Sequence, residues 1–283
     1  MKLIIQPADG VAPVVKAIDQ AKKTIDIVIF RFDRVEVERA LQAAAKRGVI
    51  VRALIAHTNT GGEKTLRKLE LRLLECGATV ARTADDLTRY HGKMMITDNR
   101  TLHVYGFNYT KLDIDKSRSF GIVTTDRKLT AEAAKLFEAD AMRQNFTPCY
   151  GRLVVSPENS RTALTAFIKG AKKQLLIYDA QVSDNAIQKV LQERAKAGVE
   201  IRIIGGLEKS LKGVKVRKLV DLRLHVRAII RDGREAFVGS QSLRRLELEG
   251  RREVGVIIKN ASIVRKMLAV FDSDWSKKAR KAA

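Results

Sequence analysis

Two short segments of this sequence place the same residue types at the same intervals. His91, Lys93, Asp98 and Asn108 form the first set; His225, Arg227, Asp232, Ser240 and Ser242 form the second. In both, a histidine is followed two residues later by a cation, then by an aspartate, and ten residues after that by an amide or hydroxyl side chain. Such a set suits phosphodiester chemistry. One imidazole can attack phosphorus when an acceptor orients its other ring nitrogen. A second can protonate the departing oxygen and later activate water or an alcohol. Lysine, arginine, asparagine and serine side chains can hold the non-bridging oxygens as charge builds in the transition state. If each segment is a strand, alternation puts His91 and Lys93 on one face, with Asp98 just beyond the strand, where it could brace an imidazole. His225, Arg227 and Asp232 read the same way. His57 and His103 stand apart from these sets, and no carboxylates cluster at ligand spacing, so neither a metal nor another cofactor is expected.

The elements that must position these residues also repeat. KKTIDIVIF (22–30) is similar to KKQLLIYDA (172–180), and AKRGVIVRALI (45–55) to AKAGVEIRIIG (195–205), both at an offset of 150. HGKMMITD (91–98) and HVRAIIRD (225–232) are offset by 134, so the second copy is 16 residues shorter between these landmarks. The extra length lies at Lys64–Cys76, where Leu66, Leu69, Leu73 and Leu74 have helical spacing; the second copy has a short basic loop there, Lys209–Lys218. Three landmarks in one order indicate duplication. Each copy reads as β-α-β followed by further strands and a closing helix. Helices are predicted over Val35–Lys46, Lys128–Gln144, Asn185–Lys196 and Ala261–Ser276. Pro148 and Gly151 interrupt the pattern, dividing the chain into a first repeat over 1–148 and a second over 149–283. Gly61-Gly62 reads as a turn, and the basic end at 277–281 as a fraying helix terminus.

Composition excludes several classes. The chain has 283 residues, 45% of them hydrophobic and 30% charged, the balance of a globular protein with a real core. No apolar run approaches the roughly 20 residues of a membrane helix, and the N-terminus lacks the apolar core of a secretory signal. Two cysteines give no disulfide framework, so a reducing cytoplasm is the expected compartment. Lysine and arginine number 54 against 32 acids, a net charge of +22. Residues 1–150 hold 25 basic and 18 acidic residues; residues 151–283 hold 29 and 14. Such a chain attracts phosphate-rich partners, either nucleic acid or an anionic membrane face.

The two segments resemble the H-x-K-x4-D-x6-G-S-x-N signature of the phospholipase D superfamily, present twice. HGKMMITD with YGFNYT is one copy and HVRAIIRD with GSQSL the other. The resemblance implies an α/β, internally duplicated fold. Two α/β halves with mixed sheets flanked by helices would be related by a pseudo-twofold, with both histidines at the seam. It implies a covalent phosphohistidine, with His91 as nucleophile and His225 as general acid. Lys93, Asn108, Arg227 and Ser242 would bind phosphate, with Asp98, Asp232, Ser240 and Glu253 in support. The chain departs from the signature at Arg227 in place of lysine, Tyr105-Gly106 in place of Gly-Ser, and Ser242 in place of asparagine. Family members carry a glutamate after the motif; Glu253 fits in the second copy, and the first has Ser119.

Three functions follow. The first is a phosphodiesterase or phosphatidyltransferase acting on phospholipid headgroups, in peripheral contact with the inner membrane face and without an obligate protein partner. The string GSQSLRRLELEGRREVG most resembles bacterial lipid-type members. The second is a nuclease using the same histidine pair. The third is a polyanion-binding module that has lost catalysis. Aromatic residues are only 5%, which leaves few stacking platforms for single-stranded bases, although duplex binding through phosphates needs none.

Overall fold

The computed structural model describes residues 1–57 and 63–277. The Gly61-Gly62 turn and most of the basic C-terminal end lie outside them. The first half runs β1 (Lys2–Gln6), α1 (Ala12–Gln20), β2 (Thr24–Ile29), α2 (Val35–Lys46), β3 (Ile50–Ile55), α3 (Glu63–Glu75), β4 (Thr79–Arg82), β5 (Arg89–Tyr90), β6 (Met94–Thr97), β7 (Thr101–Tyr105), α4 (Lys111–Asp115), β8 (Ser117–Thr124) and α5 (Arg127–Ala141). The second half runs β9 (Leu153–Ser156), α6 (Ser160–Lys169), β10 (Gln174–Val182), α7 (Asn185–Lys196), β11 (Glu200–Leu207), β12 (Val214–Arg217), β13 (Arg223–Leu224), β14 (Arg227–Arg231), β15 (Glu235–Gly239), α8 (Arg245–Glu249), β16 (Arg251–Ile258) and α9 (Ala261–Ser276).

Each half builds one mixed sheet. The first has the order β1-β8-β7-β6-β2-β3-β4 and the second β12-β11-β10-β14-β15-β16, with β9 on β16. The β2–β3 and β10–β11 pairs are parallel because a helix crosses between their strands, whereas β6–β7 and β14–β15 are antiparallel hairpins. Gly48 and Gly198 follow α2 and α7 with φ of 85° and 83°, the left-handed conformation that ends a helix cheaply only at glycine. The parallel strands are buried on both faces: Ile25, Ile27 and Ile29 point one way and Val28 the other, and Leu175 and Ile177 oppose Leu176 and Tyr178. Between the sheets, Val104, Phe120 and Ile122 of the first half share one core with Tyr178, Val238 and Val256 of the second. Burial of this shared layer fixes the halves against each other.

Two short strands exchange sheets. β5 leaves the first half and pairs in parallel with β16, while β13 leaves the second and pairs in parallel with β8. The repeat spacing does not reveal this exchange. Nor does it reveal β1 and α1 or β9 and α6, which precede the repeated landmarks in each half. One loop assignment is corrected. Lys209–Lys218 contains β12, which pairs with β11 as β4 pairs with β3; the shortening removes the helix and keeps the strand.

Candidate active site

Both histidines sit at the ends of the exchanged strands. His91 follows β5, and its backbone N–H donates to the carbonyl of Arg252 at 2.7 Å. His225 follows β13, and its N–H donates to the carbonyl of Arg118 at 3.2 Å. Each half therefore delivers its histidine to the edge of the other half's sheet. The expected strand containing both His91 and Lys93 begins only at Met94, so His91, Gly92 and Lys93 form the connection from β5 to β6. Lys93 Nζ turns back to donate to the His91 carbonyl at 2.6 Å.

Glu253, buried on β16, lies 2.9 Å and 3.0 Å through its two carboxylate oxygens from His91 Nδ1. A carboxylate there favours the tautomer with the proton on Nδ1, leaving the Nε2 lone pair free. The Phe30 ring meets the imidazole edge-on at 4.5 Å and fixes its plane. Burial, then the charges of Lys93 and Arg227, push His91 well below the ordinary histidine range. At neutral pH its imidazole is uncharged. Burial also raises the Glu253 carboxyl, a change opposed by Lys93, the Ser240 hydroxyl, Arg251 and Arg227.

Lys93 is fully buried, with its ammonium 5.4 Å from the centre of the Phe30 ring. Burial lowers it to about 7. Arg227 opens β14, and its charge bears on both histidines as well as on Lys93, so the four residues share one electrostatic centre. Arg227 Nε is buried without a hydrogen-bond partner, consistent with a group that awaits one. His225 is likewise held well below the ordinary range, chiefly by burial and against the pull of Asp113.

Asn108 and Ser242 occupy equivalent loops. The backbone N–H of Asn108 donates to Asp113 at 2.9 Å, and that of Ser242 donates to Glu247 at 2.7 Å. Their side chains are already engaged: Asn108 Nδ2 donates to Asp113 at 2.7 Å, and Ser242 Oγ donates to Asp179. Asp179, at 1% exposure, also accepts the Leu243 N–H at 2.7 Å; burial raises its carboxyl despite the Arg227 charge. Sequence reasoning missed Asp113 and Glu247, although each stands five residues beyond its Asn108 or Ser242, an equal interval that marks them.

Asp98 and Asp232 are corrected. Neither braces an imidazole. Asp98 accepts the backbone N–H groups of Lys22, Lys23 and Thr24, and Asp232 those of Lys172, Lys173 and Gln174. Both have left-handed backbones, with φ of 54° and 52°, at the ends of β6 and β14 remote from the histidines. Burial would raise them, but these donors hold both below the usual carboxylate range. They fasten the starts of β2 and β10. His103 is buried on β7, its Nε2 3.5 Å from the Thr97 hydroxyl.

A family model described as "Cardiolipin synthase, PLD-like domain" matches residues 14–141 and 164–275. The chain belongs to the phospholipase D superfamily. Among solved structures, polyphosphate kinase from Porphyromonas gingivalis is similar over 98% of this chain, with a TM-score of 0.79 and 19% identity. This phospholipase D-like chain spans half of that kinase's length, since the match covers 50% of it. Phosphatidylserine synthase from Haemophilus influenzae matches over 97% of this chain and 85% of its own, with a TM-score of 0.69 and 12% identity. Nuc from Salmonella typhimurium, a phospholipase D family member, covers 50% of this chain and 93% of its own, at 25% identity and a TM-score of 0.46. The likenesses to the kinase and to phosphatidylserine synthase establish the duplicated α/β fold. No curated protein sequence matches the chain. Among the described residues, no helix is long and apolar enough to cross a membrane.

Proposed function

We propose that this protein is a phosphodiesterase or phosphatidyltransferase that works through a phosphohistidine, on phospholipid headgroups at an anionic membrane face. The observation that carries the chemistry is the anchoring of His91 Nδ1 by Glu253 at 2.9 Å, with Lys93 and Arg227 beside it and a second histidine in the same field. His91 Nε2 attacks phosphorus, and the bond from phosphorus to the leaving oxygen breaks. His225 gives its proton to that oxygen. Water or an alcohol then loses a proton to His225, attacks the phosphoryl group and frees His91. Lys93 and Arg227 balance the charge on the non-bridging oxygens. The substrate's negative charge favours the imidazolium form of His225 that the first step consumes.

Lipid is supported by the cardiolipin synthase description of the matching family. It is also supported by Leu112 on α4 and Leu246 on α8, exposed by 50% and 46% on the short helices that carry Asp113 and Glu247. Apolar side chains flanked by Arg244 and Arg245 suit the interface of an anionic bilayer. The second reading, a nuclease, draws on the net charge of +22 and on exposed Lys212, Lys215, Arg217 and Lys218 around β12.

The purified protein is assayed with chelator present against vesicles of anionic phospholipid and against labelled DNA and RNA. Acid quenching and peptide mapping then locate the adduct. Headgroup release with phosphate on the His91 peptide is expected. Cleavage of nucleic acid alone selects the nuclease. An adduct on His225 alone reverses the roles, and binding without turnover of any of these substrates leaves a polyanion-binding module.

A further inference from the structure

Glu253 orients His91, but the residue at the equivalent place in the first repeat is Ser119. Its hydroxyl donates to the His225 backbone carbonyl at 3.3 Å and does not reach the ring. His225 Nδ1 is buried and has no hydrogen-bond partner. An imidazole that must present a proton on Nε2 needs an acceptor at Nδ1 to hold its plane and favour its charged form.

We propose that Asp113, from α4, takes over this office and is the positioning residue for His225. The inference rests on the reading of His225 as proton donor. Asp113 Oδ2 lies 3.5 Å from His225 Nδ1, the distance of an ion pair that has yet to close into a hydrogen bond. The carboxylate is buried and cannot swing away, because the backbone N–H and the side-chain amide of Asn108 both donate to that same oxygen. Arg223 Nη1 holds the other oxygen at 2.7 Å. Burial alone would raise Asp113, yet His225, Asn108 and Arg223 keep it below the usual range, so it is a carboxylate at neutral pH.

The equivalent residue in the second half has a different task. Glu247 accepts Ser242 N–H through Oε2, and its Oε1 is taken by Arg244 and by Arg251 at 3.0 Å. The two histidines are thus served by carboxylates from different elements, a strand for His91 and a short helix for His225. The charged groups bearing on His225 are Asp113 from α4, Arg227 from β14, Lys93 before β6 and Arg223 from β13. Asp113 is the only acid among these four. When a phosphodiester draws a proton onto His225, the added charge closes the gap to Asp113. Arg223, sharing the carboxylate, moderates that pull.

The test is nitrogen-15 NMR of the histidine side chains in the full, substrate-free chain, with His225 assigned through His225→Gln. In the wild type His225 is expected to carry its proton on Nδ1. Asp113→Asn should abolish that preference while leaving His91 unchanged. Arg223→Gln, at a half-exposed site, should move the His225 Nδ1 proton downfield as Asp113 turns fully to the ring; this arm decides the matter if Asp113→Asn does not fold. An unchanged His225 in either folded variant overturns the proposal. In turnover, Asp113→Asn should lower kcat about ten- to a hundredfold with little change in KM, and Ser119→Glu in that background should recover part of the loss. The NMR readout needs no substrate, so absence of turnover overturns the functional reading alone, and an unaltered ring in an active enzyme overturns the role of Asp113 alone.

Discussion

Glu253 Oε2 lies 2.9 Å from His91 Nδ1, although 162 residues separate the two in the chain. Each comes from a different repeat, and β5 and β16 pair between them. Glu253→Gln keeps the shape but removes the charge that fixes the Nδ1 proton and stabilises the developing positive charge on His91. The rate on the phosphodiester substrate should fall on the order of a hundredfold or more. A rate within twofold of wild type would show that this carboxylate does not serve the reaction.

Arg227→Ala should cost on the order of a hundredfold in kcat, the scale of losing one preorganised donor to transition-state charge. Arg227→Lys restores the signature residue and should retain much of the activity. Steady-state rates of both variants decide it; wild-type turnover in Arg227→Ala means that the second cation takes no part.

Lys93 adds a stability signature. Its pKa falls from 10.5 to about 7 on folding, because burial penalises the charged form. Between those two values the unfolded chain holds a proton that the folded chain has lost, so this group makes stability rise with pH across that window. Below about 7 both states are charged and the full burial cost remains. Lys93→Met should therefore abolish turnover and raise Tm, with an advantage that is greatest below pH 7 and shrinks toward pH 10. Roughly 2–4 °C is expected per kcal/mol relieved. Thermal melts of both proteins across that range provide the measurement, and a constant difference would refute the assignment.

Asp98→Ala and Asp232→Ala should act on folding. Each leaves three backbone N–H groups at a strand start without their carboxylate and puts alanine into a left-handed backbone. A loss of about 1–3 kcal/mol per site is expected in urea unfolding. Activity per folded molecule should stay within a fewfold of wild type; a large loss of kcat in a fully folded variant would return these aspartates to the active site.

In the proposed mechanism imidazoles and cationic side chains supply the nucleophile, acid and charge balance, so turnover should survive strong chelators. Complete loss in chelator, restored by a divalent metal, would contradict the mechanism.

Much of the architecture was legible because duplication turns one ambiguous pattern into two agreeing ones. Val35–Lys46, Asn185–Lys196 and Ala261–Ser276 form the helices their apolar spacing predicts. β1, α1, β9 and α6 escaped because they lie ahead of the matched landmarks and are short. The motif spacing singled out His91, Lys93, His225 and Arg227, and the fold brings these four together. It misassigned Asp98 and Asp232, since adjacency along a strand says nothing about which end of that strand faces the site.

The amino-acid sequence by itself determined the duplicated α/β plan, the two histidines and their cations, and the replacement of the second glutamate by Ser119, because these are matters of residue type at fixed intervals. The tertiary structure alone decided which carboxylate meets which histidine. β5 and β13 cross the seam and pair with the opposite sheet, bringing Glu253 to His91 and Asp113 to His225. The physical reason is that a strand edge must be hydrogen-bonded somewhere, and which edge receives it depends on how the two sheets pack around their shared core.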